Sequence, residues 1–268
     1  MEVIILKNPD SVAAIGGELV AELLRVSPSA VLGLATGGTQ LALYRRLVEQ
    51  YRKGELSFKN TTSFNLDEYL GVSPENPQSY RAYMKQEFFD LIDIDPRCTF
   101  LPECGDGQNP ILVGPRYEHR IQEAGGIDLQ ILGIGVNGHI GFNEPSSSLN
   151  SRTRVKTLTR QTFEDNSRLF SADEFQPTLA ITMGIATIMD AKRILLLATG
   201  EKKADAVARM VEGPVTAMCP ASSLQMHERV TVLLDEAAAG GLQNRDYYDW
   251  TYLQNESLKD RFGLTHER

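Results

Sequence analysis

The chain has 268 residues, 42% of them hydrophobic and 23% charged, which is the composition of a globular protein. A formal net charge of -8 argues against a nucleic-acid partner, because nucleic acid needs a basic surface, but it permits a small anionic ligand. The three scattered cysteines exclude a disulfide framework and a zinc site. The chain begins with a strand-like run and has no stretch of eighteen apolar residues, so we expect a cytoplasmic protein with no membrane contact.

Short apolar runs alternate with helical periodicity along the chain. Apolar runs predict strands, and apolar residues spaced by three or four predict helices. The predicted strands are 3–6, 31–34, 63–66, 129–134, 193–198 and 230–234, and the predicted helices are 11–25, 40–52, 79–91 and 202–211. Strands that alternate with helices favour a parallel sheet covered on both faces. We therefore expect an α/β fold, a Rossmann-like parallel-sheet sandwich that forms a single domain over residues 1–268.

The segment 146–173 is the least regular part of the sequence and is rich in Ser, Thr, Arg and Asn. It directly follows a glycine-rich segment that carries reactive side chains. A long polar segment in such a place is typical of a mobile lid that closes over a site. The alternative interpretation is a plain surface excursion.

The most informative segment is Gly133–Pro145, which begins at the end of the predicted strand 129–134. Its glycines allow the backbone to turn sharply and to approach a ligand closely. Within it the chain places a carboxamide at Asn137, an imidazole at His139 and a carboxylate at Glu144. A strand that leads into a polar loop is how open α/β sheets build ligand sites at the carboxyl ends of their strands. We predict a functional site here.

A second glycine-rich turn, made of Thr36, Gly37, Gly38 and Thr39, connects a predicted strand to a predicted helix. Its backbone amides and the positive end of the helix dipole suit an anion, and the threonines add hydroxyl donors. It matches neither a Walker A motif nor a dinucleotide fingerprint. The alternative is an ordinary strand-to-helix turn. The segment Gly200–Lys203 follows another predicted strand. One of its lysines could reach the same ligand site, and the alternative is that the lysines only make an exposed helix soluble.

Two adjacent carboxylates, Asp67 and Glu68, follow the third predicted strand. Side chains at the carboxyl end of a strand point toward the ligand crevice. The alternative is that one carboxylate caps the next helix and the other is solvated. Spacing alone does not distinguish the two residues. The remaining histidines, His119, His227 and His266, are predicted to lie on the surface.

These segments together resemble the glucosamine-6-phosphate deaminase family. The resemblance covers nearly the whole chain and rests on Gly33–Thr39, Phe64–Tyr69, Gly133–Pro145, 147–158 and Asn166–Arg168. The 6-phosphogluconolactonases share the glycine-rich loops but continue differently after the histidine. The resemblance implies that glucosamine 6-phosphate is converted to fructose 6-phosphate and ammonia through an enolamine, in amino-sugar catabolism, without a cofactor or metal.

The resemblance also implies catalytic roles. Asp67 would remove the proton from C2 and return it at C1. His139, oriented by Glu144, would open the sugar ring, a step that suits an imidazole near neutral pH. Asn137 stands where some members of the family have Asp, and a carboxamide can orient groups but cannot act as a base. We therefore expect the substitution of Asn137 to cost less than that of His139.

Substrate binding follows from the same resemblance. The turn from Thr36 to Thr39 would hold the phosphate together with Lys203 and with Arg168, which the lid would carry to the site. An Arg side chain offers a bidentate fork to phosphate, whereas Lys offers a point charge.

Some members of the family are hexamers activated by N-acetylglucosamine 6-phosphate. Ser147, Ser148, Arg154 and Lys156 match the effector site of those members, whereas the stretch 247–250 follows the family pattern poorly. We expect a homo-oligomer, with a hexamer among the options and with activation by this effector as a hypothesis. The alternatives are a 6-phosphogluconolactonase and a non-catalytic sugar-phosphate sensor, and the acidic charge without a DNA-binding segment disfavours the sensor.

Overall fold

The structure, a computed structural model, describes residues 1–105, 107–160, 163 and 175–262, with the side chains of 258–262 left out. Its strands are, in chain order, β1 (Glu2–Leu6), β2 (Val31–Leu34), β3 (Thr62–Asn65), β4 (Asp67–Tyr69), β5 (Thr99–Phe100), β6 (Leu129–Leu132), β7 (Arg154–Thr157), β8 (Leu179–Thr182), β9 (Ile194–Ala198) and β10 (Val230–Asp235). Seven of them form a parallel sheet in the order β1-β10-β9-β6-β2-β3-β5. The other three form an antiparallel sheet in the order β4-β8-β7.

Helices cover both faces of the seven-stranded sheet. They are α1 (Pro9–Val26), α2 (Gly38–Arg52), α3 (Tyr80–Glu87), α4 (Pro110–Glu123), α5 (Ile185–Met189), α6 (Ala204–Val211) and α7 (Arg245–Phe262). Apolar residues of α1, α2 and α3 pack in one core cluster, and those of α4, α5 and α6 pack in the other. The C-terminal helix α7 lies beside the edge strand β1, where Asn255 donates a hydrogen bond to Glu2. No helix among the described residues is long and apolar enough to cross a membrane.

Local sequence explains where these elements begin. Helix α1 begins at Pro9, whose missing N–H costs nothing at the first helical position, and the Asn8 side chain accepts a hydrogen bond from the Ser11 amide at 2.9 Å. Strands β6 and β9 are buried along their full length, which explains their continuous apolar runs. The prediction of a parallel α/β sheet with helices on both faces is confirmed.

The sequence prediction missed the whole three-stranded sheet, the two-residue strand β5 and the helices α4, α5 and α7. Two of the three residues of β4 are charged, and β7 has a single apolar residue among four, so neither strand has the apolar run by which a buried strand is recognised. The described part of the candidate lid at 146–173 includes β7, which pairs with β8 and is therefore regular structure. Residues 161–162 and 164–173 of that segment lie outside the described residues.

The sheet order creates a crevice. From β2 the chain continues to β3 on one side, and from β6 it continues to β9 on the other. Because β2 and β6 are neighbours, the connections diverge at their carboxyl ends. Such a topological switch point is where open α/β sheets hold their ligands. The two glycine-rich segments predicted from the sequence follow β2 and β6.

Candidate active site

Three segments meet at this crevice: the turn after β2, strand β4 and the loop after β6. The carboxamide of Gln40 lies between the turn after β2 and the loop after β6, in close contact with both. A Cβ atom added at Gly37 in the turn would be 2.8 Å from Oε1 of Gln40, and one added at Gly133 at the start of the loop would be 2.7 Å from its Nε2. Strand β4 meets the loop after β6 at Phe142, whose amide donates a hydrogen bond to the Thr182 hydroxyl at 3.1 Å and lies beside the Asp67 carboxylate. The tertiary structure therefore brings the predicted site segments together.

Asp67 is a buried carboxyl group, with 6% of its surface exposed. Burial raises the pKa of Asp67 to about 8, and the neighbouring charge of Glu68 raises it further, while hydrogen bonds from the Phe142 amide and the Thr182 hydroxyl oppose the rise. A carboxyl group with a pKa near neutrality is a stronger base than an ordinary carboxylate. Such a perturbed pKa in a cleft is typical of a functional group.

Glu68 has a different environment from its neighbour. Its carboxylate accepts hydrogen bonds from the backbone amides of Tyr69 at 2.8 Å, Tyr80 at 3.0 Å and Arg81 at 2.8 Å. The last two amides belong to the first turn of α3, so Glu68 satisfies donors that the helix cannot pair itself. Burial raises the pKa of Glu68 to about 7 against these hydrogen bonds. The structure thus gives Glu68 the capping role, and Asp67 is buried rather than solvated.

His139, Glu144 and Asn137 form one network in the loop after β6. The Nδ1 atom of His139 lies 3.3 Å from Oε2 of Glu144, close enough for an ion pair but not aligned for a hydrogen bond. The Asn137 side chain joins the two residues, since its Nδ2 donates to Oε2 of Glu144 at 2.7 Å and its Oδ1 accepts from the His139 amide at 3.1 Å. Glu144 is buried, whereas the imidazole is partly exposed toward the crevice.

Two glycines of this loop are needed by the geometry. The imidazole of His139 lies directly against Gly135, where an added Cβ would be 2.2 Å from its Cε1. Gly141 has φ of +53°, and its Cβ would lie 2.9 Å from the Thr182 hydroxyl and 3.3 Å from an Asp67 oxygen. A side chain at Gly141 would therefore collide with the groups around the buried carboxylate.

The turn after β2 leads into the N-terminus of α2, which begins at Gly38 and has no acidic residue in its first turn. The Thr36 hydroxyl hydrogen-bonds the phenol of Tyr80, and Oγ1 of Thr39 lies 3.2 Å from Oγ1 of Thr199, the residue directly after β9. Lys203 is half-buried and ends the short helix that follows Thr199. Free amides at a helix N-terminus with nearby hydroxyls and a lysine suit an anion. Arg168 lies outside the described residues.

The four residues matched to an effector site are spread over the far end of the loop and β7. Ser147 is buried and Ser148 is exposed. Arg154 and Lys156 are two positions apart on β7 and share one face of the strand. Arg154 also donates a hydrogen bond to Oδ1 of Asn143 at 2.8 Å.

Sequence reasoning missed several residues that line this site, namely Gln40, Tyr80, Thr182 and Thr199. Gln40 and Tyr80 lie in predicted helices, and only their side-chain directions reveal the contacts. His119 is exposed on α4, His227 binds the Ala191 carbonyl with its Nε2 atom, and His266 lies outside the described residues. Within the part of the chain that the structure describes, no three His, Cys, Asp or Glu side chains are grouped as a metal site would require.

The fold and the site define an α/β protein of the class that binds a small ligand at the switch point of a parallel sheet. The family follows from the sequence comparison. The model of the family described as glucosamine-6-phosphate isomerases/6-phosphogluconolactonase matches residues 9–233, and the chain belongs to that family.

Relatives within the family are similar over their full length. A protein of Colwellia psychrerythraea named glucosamine-6-phosphate deaminase is 60% identical over 266 residues, which is 99% of both chains. A protein of Cellvibrio japonicus with the same name is 54% identical and covers 98% of this chain and 100% of its own.

The solved structures agree with this. One described as a monomeric glucosamine-6-phosphate deaminase is 44% identical and has a TM-score of 0.86 over 90% of this chain and 100% of its own. The 6-phosphogluconolactonase from Trypanosoma cruzi is 19% identical, with a TM-score of 0.70 over 90% of this chain and 97% of its own, and it shares the fold.

Proposed function

We propose that the chain is an enzyme that converts glucosamine 6-phosphate to fructose 6-phosphate and ammonia. The observation that carries the proposal is the buried Asp67 carboxyl, which has a raised pKa and contacts the loop of His139 and Glu144. Relatives that bear the name glucosamine-6-phosphate deaminase at 54% and 60% identity support the same reaction. This reaction shifts a proton and exchanges an amine for water, so it is neither an oxidation nor a reduction.

The reaction begins with ring opening. The imidazole of His139 takes the proton of the anomeric hydroxyl and delivers a proton to the ring oxygen, and the nearby Glu144 carboxylate stabilises the imidazolium formed between the two transfers. Asn137 holds Glu144 in place through its 2.7 Å hydrogen bond and carries no proton itself. This division of roles rests on the distances within the loop.

Asp67 then acts on the open-chain sugar. Its carboxylate removes the proton from C2 to form the enolamine and returns a proton at C1, which leaves an imine at C2. Water adds to that imine and ammonia leaves. The raised pKa favours the first transfer, because the carboxylate accepts a proton more readily than an ordinary aspartate near neutral pH.

The phosphate of the substrate is held at the N-terminus of α2 by the turn from Thr36 to Thr39, with Lys203 beside it. The helix begins with glycine and lacks an acidic side chain in its first turn, which leaves its amides available to an anion. Arg168 is proposed as a further phosphate ligand on the sequence resemblance alone.

The test is the release of products from glucosamine 6-phosphate by the purified protein. We expect ammonia and fructose 6-phosphate in equal amounts. Absence of both would overturn the proposal, and hydrolysis of 6-phosphogluconolactone in the same assay would replace it. The lactonase alternative has less support, because its solved examples are 15–23% identical and share only the fold. The full-length relatives with an enzyme name also leave the sensor alternative without support.

We further propose a homo-oligomer that N-acetylglucosamine 6-phosphate activates at Ser147, Ser148, Arg154 and Lys156. The two cations share one face of β7, which suits a phosphate. Large side chains exposed on α7 support an oligomer, namely Tyr247, Trp250 and Leu253.

The three free thiols fit a cytoplasmic location. A lower half-saturation with the acetylated sugar and the mass by light scattering would test these points.

A further inference from the structure

Thr182 is a fully buried residue that ends β8, the central strand of the three-stranded sheet. It pairs with Asp67 on β4 at one side and with Arg154 on β7 at the other. Its hydroxyl hydrogen-bonds the Asp67 carboxylate and accepts a hydrogen bond from the Phe142 amide at 3.1 Å. The same oxygen lies 3.3 Å from the Met183 carbonyl, to which it can donate instead.

This hydroxyl has one proton to donate and two lone pairs with which to accept. When Asp67 is ionised, the Thr182 proton points to the carboxylate. When Asp67 is protonated, its own O–H donates to Thr182, whose proton then turns to the Met183 carbonyl. That carbonyl also accepts from Asn143 Nδ2 at 2.8 Å, and the Phe142 amide keeps its acceptor throughout. Every one of these buried groups therefore has a partner in both protonation states.

We propose that Thr182 is a positioning residue for proton transfer by Asp67, and that its hydroxyl rotates between the carboxylate and the Met183 carbonyl as the proton arrives and leaves. The inference rests on the proposed function, because it takes Asp67 as the base. A base that gains and loses a proton in each turnover needs a surrounding that stabilises both of its forms. Burial alone would hold Asp67 in the protonated form.

In the first transfer the C2 proton bonds to an Asp67 oxygen. The electron pair of the C2–H bond becomes the C1=C2 double bond, and the carbonyl pair moves to the C1 oxygen, which takes a proton from the ammonium group at C2 and so leaves the neutral enolamine. In the return transfer Asp67 gives its proton to C1, and the pair of the double bond forms the new C1–H bond while the nitrogen pair forms the imine. Asp67 is again a carboxylate, and the Thr182 proton turns back to it.

The other groups that face Asp67 do not replace this hydroxyl. Glu68 and Tyr69 adjoin it on β4, and Tyr80 of α3 and Tyr117 of α4 are close enough to interact with its charge. Arg154, in the same row of the sheet, directs its guanidinium to Asn143. Among these neighbours the carboxylate of Glu68 disfavours the ionised form of Asp67, and Thr182 and the Phe142 amide favour it. Loss of the hydroxyl should therefore raise the pKa at which Asp67 becomes an active base.

The experiment compares Thr182→Val, which removes the hydroxyl at nearly constant size, with Thr182→Ser, which retains it. Loss of a hydrogen bond to a charged group shifts the pKa of that group by about one unit or more. We therefore expect the acid limb of the pH profile of kcat to move to a pH about one unit higher in the valine variant. At pH 7 kcat should fall by up to about tenfold, which is the loss that a one-unit shift gives, while KM changes by less than about twofold. The serine variant should keep the acid limb of the wild type.

Thr61→Val is the matched control, since Thr61 is equally buried and its hydroxyl faces the Pro28 carbonyl, away from the site. It should leave kcat and its pH profile unchanged. Thr182→Ala provides a second hydroxyl-free variant if the valine variant does not fold. The role of Thr182 would be overturned if the wild type turns over and the folded hydroxyl-free variant has its acid limb at the same pH as the wild type. Absence of turnover by the wild type would instead overturn the proposed function.

Discussion

The two sheets of the molecule differ in what their residues do. The seven-stranded sheet has strands such as β6 and β9 that are buried along their full length, and a core cluster covers each of its faces. The three-stranded sheet is short, and the row across it consists of Asp67, Thr182 and Arg154. Apolar burial stabilises the first sheet, whereas polar side chains with specific partners fill that row of the second.

This difference shows how the fold separates stability from chemistry. The large sheet supplies the switch point and fixes the turn after β2 and the loop after β6 on rigid strands. The small sheet supplies the buried carboxylate and the hydroxyl that contacts it. Substitutions in the large sheet should therefore change the free energy of unfolding, and those in the small sheet should change kcat and its pH dependence.

The largest effect is expected from Asp67→Asn. The amide cannot accept the C2 proton, so kcat should fall by about a thousandfold, within the range of a lost general base. Steady-state release of ammonia measures it. Asp205→Asn, at an exposed aspartate that pairs with Arg209 on α6, is the matched control and should retain kcat within about twofold. Retention of more than a tenth of the wild-type kcat by Asp67→Asn would contradict the assignment of the base.

The counterpart in the large sheet is Leu196→Ala. Leu196 is fully buried at the centre of β9, so its truncation should lower the free energy of unfolding by about 2–5 kcal/mol. The pH profile of kcat should stay where it is. Urea unfolding measures the first quantity, and Val26→Ala, at an exposed site at the end of α1, should change it by less than about 0.5 kcal/mol. A moved pH profile would break the separation between the sheets.

Within the loop after β6, His139→Ala and Asn137→Ala should differ. Loss of the imidazole should lower kcat by about a hundredfold, because no other group in the loop network is placed for the ring-opening proton transfers. Loss of the Asn137 amide removes the 2.7 Å hydrogen bond to Glu144, which only orients that carboxylate, and should cost about tenfold. Parallel measurements of kcat decide the order, and equal losses would count against it.

The smallest effect concerns stability. The pKa of Asp67 is about 8 in the folded protein and near 4 in the unfolded chain, so the folded state binds more protons between these values. The stability that Asp67 contributes is present below pH 4 and is lost as the pH rises through the folded pKa. Asp67→Asn has no such dependence. Its Tm relative to the wild type should therefore increase by several degrees between pH 5 and pH 9, and a constant difference would contradict the buried, perturbed carboxyl.

Much of the fold could be predicted because its cause is local. The apolar runs of β2, β6 and β9 reveal strands buried on both faces, and their alternation with helices reveals the parallel sheet. The proximity of the candidate site segments could be predicted as well, since the carboxyl ends of neighbouring parallel strands lie at one edge of the sheet. Strands β4 and β7 were not predicted, because each is short and has only one apolar or aromatic residue, which is too little for an apolar run.

The sequence by itself determined the α/β class and the residue types available to the chemistry, since apolar periodicity and glycine-rich turns are local properties of the chain. Only the tertiary structure decided which of the two adjacent carboxylates caps α3 and which contacts the loop, because the capping amides come from residues 80 and 81. It alone brought Thr182 to Asp67 and Phe142, since strand register depends on pairing between distant segments.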